Sequence, residues 1–160
     1  MKISRKKKEK ELKIVIFKLS NVSYAIGINS VREVIKPVEF VTLPNSPGYI
    51  AGVINLRGHI ICCIDLRKKF NFSAEDNEKT RIMIVRIKGT AVGMIVDEVK
   101  EVVSIVKSDI DITPSIIDQH LPGHSLVGIA KYDNRLIILV NINNLLSIDE
   151  LKTLKITNTI

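Results

Sequence analysis

The chain has no tryptophan, four phenylalanines, three tyrosines, two cysteines and five alanines in 160 residues, and no run of eighteen uncharged apolar residues. Each shortage closes a route. So few aromatics cannot build a strip of rings interleaved with lysine and arginine, which a groove for stacked bases needs. Without a long apolar run, no segment reads as a membrane-spanning helix. The stretch Leu12–Phe17 is broken by Lys13 and followed by Lys18, too short for the apolar part of a signal peptide, so the expected compartment is the cytoplasm. Two cysteines cannot staple a secreted scaffold. Cys62 and Cys63 are adjacent within Ile60–Ile64, where strand neighbours face opposite ways, so they read as two small hydrophobes in a buried strand.

Catalytic equipment is equally thin. No phosphate loop, Gly-x-Gly-x-x-Gly or Gly-x-Ser-x-Gly is present. His59 lies beside the Arg57-Gly58 turn without a neighbouring partner. Asp118, His120 and His124 cluster in sequence, but Pro122 and Gly123 break the helical spacing that metal-ligand pairs use. The expectation is a protein that is not an enzyme, with no metal and no cofactor. An enzyme built on Cys62 or on the His120 region stands as a third reading, which metal analysis and thiol reactivity test.

What is present is β-branched: 27 isoleucines and 16 valines against 13 leucines, a balance that favours sheet over helical bundle. At this length the chain suits one compact domain, or two small ones sharing a core. The formal charge of +7 is unevenly spread. Residues 1–13 carry seven positive side chains against Glu9 and Glu11, a net of +5, which leaves +2 for the remainder. A like-charged run without apolar periodicity cannot bury enough surface to order itself, so residues 1–11 read as a disordered basic tail.

Internal repetition organises the rest. Phe17–Ile35 aligns without gaps to Val85–Val103 at an offset of 68, and Gly52–Phe70 aligns to Gly128–Leu146 at an offset of 76. Two blocks in the same order mark a duplication, with an eight-residue difference in the middle loop. Each copy begins with a hairpin. Ile14–Leu19 turns at Ser20-Asn21 into the alternating strand Val22–Ile28, and Ile82–Ile87 turns at Lys88-Gly89 into Thr90–Val96. The alternation predicts half-buried second strands. A short strand or helical turn follows at Val31–Ile35 and Val99–Val106, then a proline-containing loop. Two more strands close each copy: Ala51–Leu56 with His59–Leu66 across Arg57-Gly58, and Leu126–Tyr132 with Leu136–Ile142 across Asp133-Asn134. About five short strands per half predict two small barrels or strongly bent sheets. Helix is expected only at Ile148–Lys155, where Ser147 and Glu150 have capping-box spacing, and Ser73–Thr80 reads as the connector between halves.

These blocks resemble the CheW-like coupling proteins of bacterial chemotaxis. The resemblance is carried by FKLSNVSYAIGI at 17–28, VREVI at 31–35, LPNSPGYIAGVINLRG at 43–58 and IDLRKKF at 64–70, then by VGMIVDEV at 92–99 and LIILVNINNLL at 136–146. Asn55-Leu56-Arg57-Gly58 is its most distinctive element. Cys62-Cys63, in place of a Pro-Val or similar pair, and the lysine-rich start depart from the family pattern. The resemblance implies a mainly β fold of two pseudo-symmetric five-stranded SH3-like barrels with a hydrophobic seam and a short C-terminal helix. It implies one domain over 12–147, with intertwined subdomains at about 14–72 and 80–146 and a C-terminal helix and tail at 148–160. It further implies a cytoplasmic adaptor, monomeric alone and assembled into receptor arrays, linking the regulatory domain of the histidine kinase CheA to the tips of methyl-accepting chemotaxis receptors, with no direct membrane insertion and no nucleic acid.

Partner-binding residues carry over as Val31, Glu33 and Arg57, and Gly52 and Gly58 as close-approach and turn positions. Plainer roles stay open for each. Val31 has an apolar repeat counterpart in Val99, which fits a core position as well as a contact. Glu33 has a charged counterpart in Glu101, which a solvated strand edge would explain. Arg57 is matched by Asp133, so the turn itself does not demand a positive charge and recognition is the better explanation. A small β-barrel that binds nucleic acid is the alternative reading, weakened by the scarcity of aromatics. Deleting residues 1–11 is expected to leave the fold and kinase binding intact; a large fall in melting temperature would refute this.

Overall fold

The computed structural model describes residues 10–111, 125–147 and 149–152. Eleven strands run in chain order: β1 Glu11–Leu19, β2 Val22–Gly27, β3 Val31–Ile35, β4 Ile50–Leu56, β5 His59–Asp65, β6 Arg81–Ile87, β7 Thr90–Val96, β8 Glu98–Val106, β9 Ile110–Asp111, β10 Leu126–Tyr132 and β11 Arg135–Val140. They form two sheets, one of six strands ordered β8-β1-β2-β11-β10-β9 and one of five ordered β3-β6-β7-β5-β4. The fold is mainly β, as expected. The six-stranded sheet gains β9 beyond the five strands anticipated.

Neither sheet belongs to one repeat. The first hairpin, β1–β2, sits between β8 and β11 of the second repeat, and the second hairpin, β6–β7, sits between β3 and β5 of the first. The two insertions share one register. β11 runs parallel to β2 with Ile138 opposite Tyr24, and β5 runs parallel to β7 with Cys62 opposite Val92; these are repeat-equivalent pairs. A bulge at Ile16/Phe17 in the β1–β8 ladder recurs at Val31/Glu33 in the β3–β6 ladder. Another at Ile50/Gly52 recurs at Leu126/Gly128. These bulges bend the strands and increase the local twist.

All four hairpin turns have both central residues at positive φ: Ser20-Asn21, Arg57-Gly58, Lys88-Gly89 and Asp133-Asn134. That is the type I′ geometry whose twist matches the flanking strands. Past β5, the Asp65 carboxylate accepts from the Arg67 backbone N–H at 3.0 Å and starts a short helix, Leu66–Lys69. Asn141 does the same for Asn143 at 3.0 Å ahead of the 3-10 turn Ile142–Asn144. These side-chain caps end the strands one or two residues before the positions read from hydropathy, and they add helical turns where only a terminal helix was expected.

The core has three parts, and the repeat governs each. A central cluster between the sheets takes Val15, Phe17 and Leu19 from β1 and their counterparts Met83, Val85 and Ile87 from β6. The alternate residues Ile14 and Ile16 fill a smaller cluster within the six-stranded sheet, and Ile82 and Ile84 do so within the five-stranded one. This is the anticipated seam. It also corrects the reading of the hairpins' second strands as half-buried: Tyr24, Ala25 and Ile26 are all buried, and so is every residue from Val92 to Val96. An inserted hairpin packs the central core on one face and its host sheet's small core on the other, which the alternation of Ser23, Ala25 and Gly27 did not reveal.

Ser147 and Glu150 form the reciprocal capping box: the Ser147 N–H donates to Glu150 Oε1 at 2.8 Å, and the Glu150 N–H donates to Ser147 Oγ at 3.0 Å. The described helical residues are 149–152, and Leu151 enters the central core. At the other end β1 begins at Glu11, opposite Val106, three residues before the expected start, and the Lys10 carbonyl accepts from the Lys107 N–H at 3.2 Å. A truncation meant to spare the sheet therefore has to stop before Lys10. The tail at residues 1–9 lies outside the described residues.

The two cysteines divide as strand geometry requires, Cys62 in the central core and Cys63 in the small core of the five-stranded sheet; both are free. Burial pushes the Cys62 thiol up to about 11 and the Cys63 thiol up to about 12, which keeps both protonated and unreactive near neutrality. Cys63 packs against Gly93, where an added Cβ would come within 2.6 Å of its Sγ. Gly93→Ala should therefore cost about 1–3 kcal/mol by overpacking. Adding Cys63→Ala should recover part of that loss in a urea-unfolding double-mutant cycle; purely additive losses would show that the two sites do not press on one another.

Candidate interaction site

The β4–β5 turn and edge strand β3 lie at opposite ends of the five-stranded order, yet the curl of the sheet brings them together. Arg57 Nη1 donates to Glu33 Oε2 at 2.6 Å and Arg57 Nη2 to Glu33 Oε1 at 2.7 Å, a two-pronged pair. The Arg57 side chain is 68% exposed and Glu33 28%. Arg57 holds the Glu33 carboxyl below the usual carboxylate range, and Glu33 raises the guanidinium in return. Gly58, at φ 86°, completes the turn, its N–H donating to Asn55 Oδ1 at 2.9 Å. Arg57 is thus presented by a turn fixed from within.

The pair lines a cavity of about 410 Å³ together with Arg32, His59, Ile60 and Ala91, and the buried Ile61 and Ile84 give it an apolar floor. Ile60 and Val34 are exposed on the surface of this sheet. Val31 pairs with Val85 and is half-buried against the central core, on the strand that also carries Glu33. Gly52, at φ 141°, lies where an added Cβ would meet the Val41 carbonyl oxygen at 2.5 Å. That close approach permits the Val41–Val53 bridge, which the six-stranded sheet repeats between β9 and β10 at Gly128.

The repeat gives the other sheet a related but different surface. Val102 and Leu136, the counterparts of Val34 and Ile60, are exposed. Glu101, the counterpart of Glu33, pairs with Arg135 at 3.3 Å; Arg135 corresponds to His59, while Asp133 fills the position of Arg57. The two halves therefore share apolar surface positions and differ in the placing of charge.

Sequence reading missed a second charged cluster. Arg67 is 2% exposed and its guanidinium meets three carboxylates: Asp65 at 2.9 and 3.0 Å, Asp76 at 2.7 Å and Asp97 at 3.3 Å. It also donates to the Glu75 carbonyl at 3.2 Å. Burial opposes the charge, but Asp65, Asp76 and Asp97 more than offset it and the pKa lies above the ordinary guanidinium value. The available signal was a break in the repeat: Arg67 stands opposite Asn143, and Asp65 and Asp97 opposite Asn141 and Asn29. Acids replace amides on the side that holds the buried cation.

A third cluster fastens the C-terminal helix. Glu150 accepts from the Tyr49 hydroxyl at 3.0 Å and pairs with Lys69, whose ammonium lies 4.8 Å from the Tyr49 ring centroid. Burial, then the hydrogen bond to Glu150, pushes the Tyr49 hydroxyl up to about 12. Among the described residues no group of three or more His, Cys, Asp or Glu is arranged to hold a metal; Asp118, His120 and His124 lie outside them. No described helix is long and apolar enough to cross a membrane. Phe17, Tyr24 and Phe70 are buried, with Phe17 stacked on Tyr24, so they offer no platform for bases.

Two interlocked sheets carrying an ion-paired turn beside an apolar-floored cavity define a duplicated β interaction domain. The comparisons agree with that class. The CheW-like domain family matches residues 13–150. The chain is 32% identical to chemotaxis protein CheW of Helicobacter pylori over 142 residues, covering 88% of this chain and 85% of that protein. It is 34% identical to CheW of Bacillus subtilis over 135 residues, covering 84% and 86%. Among solved structures, scaffolding protein TtCheW from Thermoanaerobacter tengcongensis superposes with a TM-score of 0.80 at 37% identity, covering 88% of this chain and 96% of that one. The chain belongs to the CheW-like family of chemotaxis proteins.

The Arg67 cluster gives a quantitative test. Replacing Arg67 with alanine strands the nearly buried Asp65 carboxylate, so stability should fall by about 3–5 kcal/mol. For a domain of this size that is a drop of roughly 6–20 °C in Tm, readable by calorimetry. A change within about 0.5 kcal/mol, the range of an ordinary surface substitution, would place the guanidinium in solvent.

Proposed function

We propose that this protein is a cytoplasmic chemotaxis scaffold without catalytic activity that links the tips of methyl-accepting receptors to the regulatory domain of the histidine kinase CheA. Membership of the CheW-like family supports the chemotaxis role, and likeness to the scaffolding protein TtCheW supports a scaffold. For the partner contact, the carrying observation is the exposed Arg57–Glu33 pair lining the cavity. The type I′ turn accepts an aspartate at the equivalent position in the other half, so the fold does not call for an arginine there. The guanidinium is available to a partner's carboxylate or carbonyl, with exposed Ile60 and Val34 supplying apolar surface nearby. Val31 lies on the strand that carries Glu33, and Gly52 and Gly58 set the backbone on which the pair is displayed. Coupling then requires that the adaptor bind the kinase's active and inactive arrangements with unequal affinity, since a ligand moves an equilibrium only by that difference.

Internal pairing changes what a charge reversal does. Arg57→Glu places a second carboxylate against Glu33, whereas the exchange Glu33→Arg with Arg57→Glu restores opposite charges in mirrored order. Both proteins should fold, as both positions are on the surface. Kinase stimulation in receptor-containing membranes, measured alongside thermal unfolding, should be lost in the single variant and stay lost in the exchanged one, because a partner reads which residue carries which sign. Full coupling by the exchanged protein would make the pair structural only.

A further inference from the structure

Neither half of this chain can complete a sheet. Residues 10–70 contribute β3, β4 and β5 to one sheet but leave the space between β3 and β5 to the other half's β6–β7. Their own hairpin, β1–β2, leaves to pair with β8 on one side and β11 on the other. The central core and the clasp of Glu150 on Tyr49 likewise join one half to the other. The covalent link between the halves is the segment 71–80, polar and mostly exposed. Arg67 folds that segment back, gripping Asp76 and the Glu75 carbonyl while it reaches Asp97 in the second half.

We propose that a second copy of this chain is a partner for it through exchange of halves, the first half of each copy completing its sheets with the second half of the other, and that Arg67 gripping the connector selects the closed monomer. Every ladder, core contact and ion pair between halves is satisfied equally well in either arrangement, because the complementary surfaces are the same. Only the connector differs. Released from Arg67, residues 71–80 can span about 33–36 Å, at roughly 3.3–3.6 Å per residue, enough to pass into a neighbouring unit. Exchange of identical elements is a low-cost route to dimers. A short flexible tether gives the closed form an effective concentration on the order of millimolar, so the monomer prevails in dilute solution and exchange requires the halves to part and meet again at high concentration.

The test places one cysteine in each half of the full chain. Lys13 on β1 and Ser104 on β8 are exposed and directly opposite. The Lys13→Cys/Ser104→Cys protein is unfolded, refolded at about 1 μM or at about 1 mM, on either side of that effective concentration, and then oxidised. Non-reducing electrophoresis and mass spectrometry count disulfides within and between chains. The expected result is a cross-linked monomer at the lower concentration and at least a tenfold larger share of doubly cross-linked dimer at the higher. A dimer made by face-to-face contact would yield only cross-links within chains. Cross-linked monomer alone at both concentrations, or as much dimer from Lys13→Cys by itself, overturns the proposal. If this variant fails to refold, Lys18→Cys/Glu98→Cys on the same ladder repeats the reading. Adding Asp76→Ala, at a position whose side chain is 76% exposed, removes one grip on the connector and should raise the dimer share by up to about fivefold. An unchanged share would overturn the role of Arg67 as the selector.

Discussion

Two parallel junctions, β2 against β11 and β5 against β7, hold this molecule in its arrangement. Parallel strands cannot be joined by a tight turn, and here the joined segments come from opposite halves of the chain. Everything local follows from meeting that demand twice. Type I′ turns make each hairpin a rigid two-stranded insert, bulges bend the host strands around it, and glycines 52 and 128 let a neighbouring backbone approach where a methyl group would collide. Because both faces of the inserted strands are covered, residues 14–17 of β1, 24–26 of β2, 82–85 of β6 and 92–96 of β7 are buried without interruption. The two sheets are therefore not separable bodies with a shared boundary.

Where the repeats agree, they build the fold, and where they differ, they give the halves separate tasks. Arg57 and Asp133 occupy the same turn, as Arg67 and Asn143 occupy the same step after a capping side chain. The first difference puts a guanidinium at the surface of one sheet only. The second buries a guanidinium in one half, where it takes its partners from the connector and from the other half. A symmetric scaffold thus presents an asymmetric pattern of charge.

Much of this was legible in the residues. The hairpins, their turns, the adjacent cysteines facing opposite ways and the capping box at Ser147 and Glu150 follow from alternation, turn chemistry and spacing, all of which act within a few residues. The offsets of 68 and 76 marked the duplication, and the resemblance implied intertwining, but neither says which hairpin joins which sheet. That choice depends on contacts between residues far apart in the chain, such as Cys62 with Val92. Full burial of Tyr24, Ala25 and Ile26 was hidden for the same reason: small residues on the second face signal exposure unless another sheet is known to cover them. Glu33 and Arg57 were each named, but their pairing required the curl that brings an edge strand to a turn. Arg67 went unnoticed because a basic residue in the run Arg67-Lys68-Lys69 reads as solvated, and only the three surrounding carboxylates make it an interior group.

The inserted hairpin also fixes an order of events during synthesis. β1 and β2 are complete once Gly27 has been made, but their flanking strands end at Val106 and Val140. At roughly 5–20 residues per second the ribosome takes on the order of ten seconds to supply the second of these. Until Val106 is made both edges of the first hairpin lack a partner, and until Val140 is made the β2 edge still offers unpaired backbone to any neighbouring chain. The Ile- and Val-rich composition that makes the finished core dense also makes this early stretch adhesive. The place of β8 and β11 late in the chain thus sets how long the first hairpin waits for its sheet.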